Sequence, residues 1–199
     1  MSISKVSKRR LTETRTYMAP PTVSVPSLLR GGSDRIFQKL VFDLFTISAR
    51  LEDVRMHLAS RIGISTPQYS VLRAVAVLQG PQGVSIGAIA DHLNVSSAFI
   101  TAQSRGLFER GFLDKREDPT DRRVSRVSLT RKGERLVDDI VEQVRPINDV
   151  FFGVLDKGEF DALSAIIDKL VQSSRNAVIQ IASDRHEASL STRDRRSVQ

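Results

Sequence analysis

The side chains of this 199-residue chain best placed to do chemistry are guanidinium groups, not nucleophiles. Arg122 and Arg123 close a polar stretch, Glu117-Asp118-Pro119-Thr120-Asp121, that separates two β-like runs. Asp118 and Asp121 stand beside them, and a neighbouring carboxylate holds a planar guanidinium fork in one orientation. A fork carried on a protruding hairpin fits the narrow, electronegative minor groove of duplex DNA. On a merely solvated turn the same charges would form ion pairs worth roughly 0–1 kcal/mol each. The second group is Ser96, Ser97, Ala98, Thr101, Ala102 and Arg105, small and polar residues that open a helix, with a cation two turns on. A helix start favours phosphate, hydroxyls bond to bases or phosphates, and arginine reaches phosphate or guanine.

No reaction chemistry competes with these groups. The chain has no cysteine, which removes thiolate nucleophiles, thiolate metal sites and thiol-based redox sensing. His57, His92 and His186 are far apart and lack metal-ligand spacing. There is no glycine-rich phosphate loop and no Gly-x-Ser-x-Gly elbow. No enzymatic activity, cofactor or metal is therefore expected. No apolar run reaches the roughly 18 residues of a membrane span, and no apolar segment follows the basic N-terminus as in a secretory signal. A cytoplasmic protein without a membrane partner is the expectation.

Lys plus Arg number 30 against 23 Asp plus Glu, a net charge of +7 that favours polyanionic partners. Residues 1–33 hold six basic side chains and one acid, and residues 97–135 hold ten basic against six acidic. Segment 1–33, with Pro20, Pro21, Pro26 and Gly31-Gly32, reads as a basic, disordered arm. Residues 184–199 read as a polar, frayed tail.

The elements between these ends are mostly helical. Apolar residues from Ile36 to Leu58 recur at spacings of three and four, which predicts a long helix capped by Ser33 and ended by Gly63. Thr66-Pro67 reads as a cap with proline at the first helical position, and Gly80-Pro81 stops that helix. Val84-Ser85 leads into a short helix that ends at Asn94. Asn94-Val95-Ser96 is a tight turn, and Ser96 caps a further helix that ends at Gly111. Two short helices joined by about three residues make a helix-turn-helix. In the second, Ile100, Ser104 and Leu107 should face inward. Phe112–Arg116 and Val124–Leu129 read as paired strands, so the hairpin between them is a wing. Thr130 caps the next helix, which Pro146 should kink or interrupt, and Asp156 with Glu159 makes a capping box before a last helix.

The motifs Arg110-Gly111-Phe112-Leu113, Asp118-Pro119-Thr120-Asp121-Arg122-Arg123 and Val127-Ser128-Leu129-Thr130-Arg131-Lys132-Gly133 resemble, in order and spacing, the MarR family of bacterial transcription regulators. Thr66-Pro67-Gln68-Tyr69-Ser70-Val71-Leu72 is similar to the family's second helix. Thr120 departs from the pattern, since the family often has arginine there, and Phe99 and Gln103 are unusual in the recognition helix. The resemblance spans residues 34–183. It implies a mainly α fold with a small β-hairpin wing, a winged helix-turn-helix at about 64–130 and a helical dimerisation region. It also implies repression relieved by a small aromatic or phenolic acid, with His57, Arg61, Tyr69 and Arg73 on segments bordering the effector cleft.

The residues themselves point to a homodimer. Helices 34–62, 131–155 and 157–183 each have a broad apolar side that a winged-helix body of about 80 residues cannot cover. A two-fold pair would set its recognition helices roughly 34 Å apart, facing a near-palindromic operator in double-stranded DNA. Two other readings stay open: a sequence-tolerant, nucleoid-like DNA binder that uses the basic arm, and a winged helix that serves protein–protein contacts.

Overall fold

The computed structural model describes residues 17, 19–121 and 123–196, with side chains described as far as Ser183. The fold is mainly helical with one small antiparallel sheet. It divides into two compact units between Tyr69 and Ser70, within helix α2 (Thr66–Leu78). Among the described residues no helix is long and apolar enough to cross a membrane.

The first unit contains helix α1 (Arg35–Arg61), preceded by a single 3-10 turn at Pro26–Leu28. The expectation of a disordered arm through residue 33 fails from Thr22 onward. The buried Asp34 carboxylate accepts hydrogen bonds from the Thr22 backbone N–H (2.6 Å), the Thr22 hydroxyl (2.8 Å) and the Gln38 amide (3.0 Å). Gly31 and Gly32, at φ 57° and 78°, let Arg30 and Ser33 bridge across a tight turn. Residues 1–16 and 18 of the expected arm lie outside the described residues.

Several predicted helix boundaries shift by one or two residues. Asp34, not Ser33, occupies the cap position of α1, although its carboxylate is turned back onto Thr22. Ser65, not Thr66, caps α2: its hydroxyl accepts the Gln68 N–H while Gln68 Oε1 accepts the Ser65 N–H. Helix α1 keeps Leu58 and Ala59 buried but leaves Ile36, Leu40, Phe42, Phe45 and Met56 exposed.

The second unit holds the sheet. Strand β1 (Val84–Ser85) leads into α3 (Ile86–Leu93) and α4 (Ser97–Glu109). Strands β2 (Leu113–Glu117) and β3 (Ser125–Leu129) follow, then α5 (Arg131–Phe152) and α6 (Lys157–Arg196). The sheet order is β1-β3-β2, antiparallel throughout, with Val127 of β3 opposite both Val84 and Lys115. Val71, Leu72, Val75, Val84, Ile89, Ile100, Leu107, Phe112, Val127 and Ile140 are buried in this unit. Strand β2 sits one residue later than predicted and β3 starts one residue later but ends at Leu129 as predicted; the two strands separate after the Glu117–Ser125 pair.

The base of the hairpin is tied to α5 by two residues. The Thr130 hydroxyl donates to the Gly111 carbonyl at 2.7 Å and accepts the Gly133 N–H at 3.0 Å, capping α5 as predicted. Gly133 lies so close to this strand that a Cβ there would stand 2.1 Å from the Phe112 carbonyl oxygen. Pro146 does not interrupt α5, which continues to Phe152. Proline removes the N–H that would bond the Glu142 carbonyl, and Glu142 itself is exposed. Helix α6 extends to Arg196, past the start of the expected polar tail, and no glycine or proline follows Gly158 to stop it.

Two measurements test these contacts. Gly133→Ala is expected to destabilise the protein by about 2 kcal/mol or more, because backbone must move to admit the methyl group. An unchanged denaturant midpoint would refute the close approach. The hydrogen bonds from the Thr22 backbone, Gln38 and the Thr22 hydroxyl lower the Asp34 pKa from the ordinary 3.8 to about 2. The clasp is then fully formed above pH 4 and is lost as the pH falls through 2. The Thr22 amide resonance should titrate with a midpoint near 2; a midpoint near 4 would show that the bond is absent.

Candidate nucleic-acid interface

Helix α4 has two sides of different character. Ile100, Ser104 and Leu107 are fully buried, as their spacing predicts. The Ser104 hydroxyl is satisfied inside its own helix by the Ile100 carbonyl at 2.8 Å, so burying it leaves no orphan donor. Ser97, Ala98, Thr101, Ala102 and Arg105 are all exposed on the other side. Ser96 caps the helix by accepting the Phe99 N–H at 3.1 Å, which commits its hydroxyl to the backbone. The Thr101 hydroxyl likewise donates to the Ser97 carbonyl at 2.9 Å. Arg105 is held only loosely, 3.7 Å from Glu109, with 83% of its side chain exposed. The Ser97 hydroxyl and the Arg105 guanidinium are thus the polar groups on this face best able to turn outward.

The turn before α4 is set by backbone geometry. Asn94 takes the left-handed conformation at φ 54°, as predicted, and its N–H closes α3 on the Ala90 and Asp91 carbonyls. Gly111, at φ 70°, ends the far side of α4 and sends the chain into β2.

The wing is organised around one carboxylate. Asp118 is buried, with 4% of its surface exposed. Its Oδ1 accepts the Thr120 hydroxyl (2.6 Å), the Thr120 N–H (2.8 Å) and the Asp121 N–H (3.1 Å). Its Oδ2 accepts Arg126 Nε at 2.6 Å. The Thr120 hydroxyl above all, with the Thr120 N–H and the Arg126 guanidinium, holds the Asp118 carboxyl well below the usual carboxylate range. Bonds between Asp118 N–H and the Val124 carbonyl, and between Val124 N–H and the Asp121 carbonyl, close the loop.

This corrects the expected pairing. Among the described residues Asp118 clamps Arg126 on β3, which stands opposite Arg116 in the register, and not Arg123. Asp121 does face Arg123: its Oδ1 accepts the Arg123 N–H at 2.9 Å and lies 3.5 Å from Nε. The Arg123 side chain is 94% exposed. Arg122 lies outside the described residues. Thr120, the departure from the expected arginine, supplies two of the bonds that fold the loop. Its role had a local signal, since aspartate followed two residues later by a hydroxyl residue is an Asx-turn pattern. Arg126 had no such signal, because its partner depends on the strand register.

The four residues expected at an effector cleft differ in access. His57 and Arg61 on α1 are exposed, Arg73 on α2 is half-buried, and Tyr69 is buried at 6% exposure. Tyr69 is therefore a core residue first.

Comparison with known proteins bears on this arrangement. The model of the MarR family matches residues 64–125. The HTH-type transcriptional repressor NicR of Pseudomonas putida is 34% identical over 109 residues, covering 48% of this chain and 68% of that protein. CouR from Rhodococcus jostii RHA1, solved bound to p-coumaroyl-CoA, is 23% identical and superposes over 71% of this chain and 94% of its own with a TM-score of 0.58. The S. aureus MepR–DNA complex is 18% identical, covering 67% of this chain and 96% of that one with a TM-score of 0.57. These two likenesses concern the fold.

Asp118→Asn keeps an oxygen for the Thr120 and Asp121 amides but turns a second donor towards Arg126. Hydrogen exchange at neutral pH should then accelerate at residues 118–124 and stay unchanged in α4. Equal protection in both proteins would remove Asp118 as the organiser of the wing.

Proposed function

The chain belongs to the MarR family of transcription regulators, and from that premise we propose that it binds a near-palindromic operator as a homodimer and responds to a small acid. In this reading α4 enters the major groove. Ser97, Ala98, Thr101, Ala102 and Arg105 face base edges, and the start of the helix, capped by Ser96, faces phosphate. The wing carries Arg122 and Arg123, the latter oriented by Asp121, to the neighbouring minor groove. The observation that carries the reading is the contrast within α4, buried on one side and free on the other, beside a wing whose loop is folded by an internal carboxylate.

A second copy is favoured by apolar surface that a monomer leaves in water. Phe42 and Phe45 on α1, Val150 on α5, Val154 after it, and Phe160, Ile166, Leu170 and Val178 on α6 are all exposed. At roughly 25 cal/mol per Å² removed from water, covering such surface drives association. The effector reading is supported by the cationic residues Arg61 and Arg73, with His57, and by the p-coumaroyl-CoA in CouR. Tyr69 enters it only as a wall.

Selection of bound sequences from a random duplex pool is the direct test, followed by titration of the recovered site. A two-fold symmetric consensus bound much more tightly than random DNA is expected, together with a dimer by sedimentation at micromolar concentration. Steep salt dependence with no sequence preference would favour a nucleoid-like binder instead. Replacing Arg122 and Arg123 by alanine should weaken binding to all sequences and lower the salt slope by about one for each phosphate no longer neutralised. Binding unaltered by that double change would leave the wing a protein-contact surface. Aromatic acids added to the complex should lower operator affinity if the effector reading is right.

A further inference from the structure

Asn94 does two separate things. Its backbone makes the left-handed turn between α3 and α4, while its side chain reaches a residue 81 positions later. The Asn94 Oδ1 accepts two hydrogen bonds from one guanidinium, from Arg175 Nη2 at 2.9 Å and from Nε at 3.3 Å. Neither residue needs this contact locally, since the Asn94 N–H is already satisfied within α3 and Arg175 stands in the middle of α6. Around the contact the two helices do not close. A groove of about 540 Å³ remains, lined by Ala90, Asp91 and Val95 on one side and Val171, Val178 and Ile179 on the other. Helix α6 therefore meets the helix-turn-helix at this point through a polar latch over an unfilled gap.

We propose that Arg175 is a positioning residue which, by gripping Asn94, sets the angle at which α4 is presented relative to α6. The proposal rests on the reading of a homodimer that lays α4 into DNA. Asn94 lies two residues before the Ser96 cap, and α4 is locked into the winged helix by Ile100, Ser104 and Leu107. Moving the turn thus moves α4 together with the winged helix that holds it. Helix α6 carries an exposed apolar stripe through Phe160, Leu163, Ile166 and Leu170, so its direction is set by whatever pairs with it. The latch then converts the geometry of the pair into the separation between its two reading helices. A planar fork with two donors on one oxygen fixes direction as well as distance, which a lysine ammonium does not.

Fluorescence anisotropy with the full chain tests this on three duplexes: the selected paired site, the same site with its half-sites moved by one base pair, and a single half-site. Wild-type preference for the paired site establishes the underlying reading; its absence overturns that reading and this proposal together. Given that preference, Asn94→Gly, which keeps the left-handed turn, and Arg175→Ala should each weaken paired-site binding about fivefold, the order of an exposed charge-assisted hydrogen bond. Each should also discriminate less between the two spacings, bind the single half-site as wild type does, and keep its Tm. The double variant should lose no more than either single one, and Arg175→Lys should recover only part. Losses that multiply in the double variant overturn the latch, as does intact spacing discrimination. So does an effect of Arg175→Ala alone with a salt slope lower by about one, which would make Arg175 a phosphate contact.

Discussion

The burial of Ile100, Ser104 and Leu107 is the constraint from which the exposed face of α4 follows. A helix has only one azimuth once three residues at i, i+4 and i+7 are fixed against a core. Ser104 would defeat this if its hydroxyl were orphaned, but it bonds back to Ile100 within the helix. With that side closed, Ser97, Thr101 and Arg105 have no orientation open to them except outward. Placing a polar residue in the seam costs little here and leaves the outward set intact.

The wing obeys a different logic. It is too short and too polar to have a core of its own, so a single buried carboxylate supplies what apolar packing supplies elsewhere. Asp118 gathers two backbone N–H groups, one hydroxyl and one guanidinium, which leaves its lone pairs used and its charge compensated. The loop is held from within, and the Arg123 side chain, beside Asp121, is left almost wholly exposed. Phe112 plays the matching part at the base of the hairpin. The Arg110 guanidinium and the Lys132 ammonium lie 4.8 and 5.0 Å from its ring centroid, its carbonyl accepts the Thr130 N–H at 3.1 Å, and that carbonyl leaves Gly133 no room for a Cβ.

The long helices carry apolar patterning that their own chain leaves uncovered. Helix α6 repeats large apolar residues every three or four positions from Phe160 to Val171, yet all of them are exposed. A surface helix that served only its own fold would have those positions covered. Under the proposed homodimer a second copy covers this stripe, and the Arg175–Asn94 contact carries its geometry to the turn before α4.

The sequence by itself determined whatever depends on near neighbours along the chain. Helix periods, the caps at Ser96, Thr130 and Asp156, the left-handed Asn94, the glycine at 111 and the inward face of α4 were all legible, because each is settled within about four residues. The cap positions expected at Ser33 and Thr66 were off by one because two adjacent residues able to cap stand at each helix start, and the sequence does not say where the helical backbone begins. Tertiary structure alone decided the partners of groups that reach farther. Asp118 takes Arg126 through the strand register, Asp34 reaches back to Thr22, Gln79 bonds the Leu129 amide, and Arg175 finds Asn94. A charge or amide carries no address in the sequence. Its partner is chosen by which strands and helices the hydrophobic core brings within about 3 Å, and that is a property of the whole packed chain.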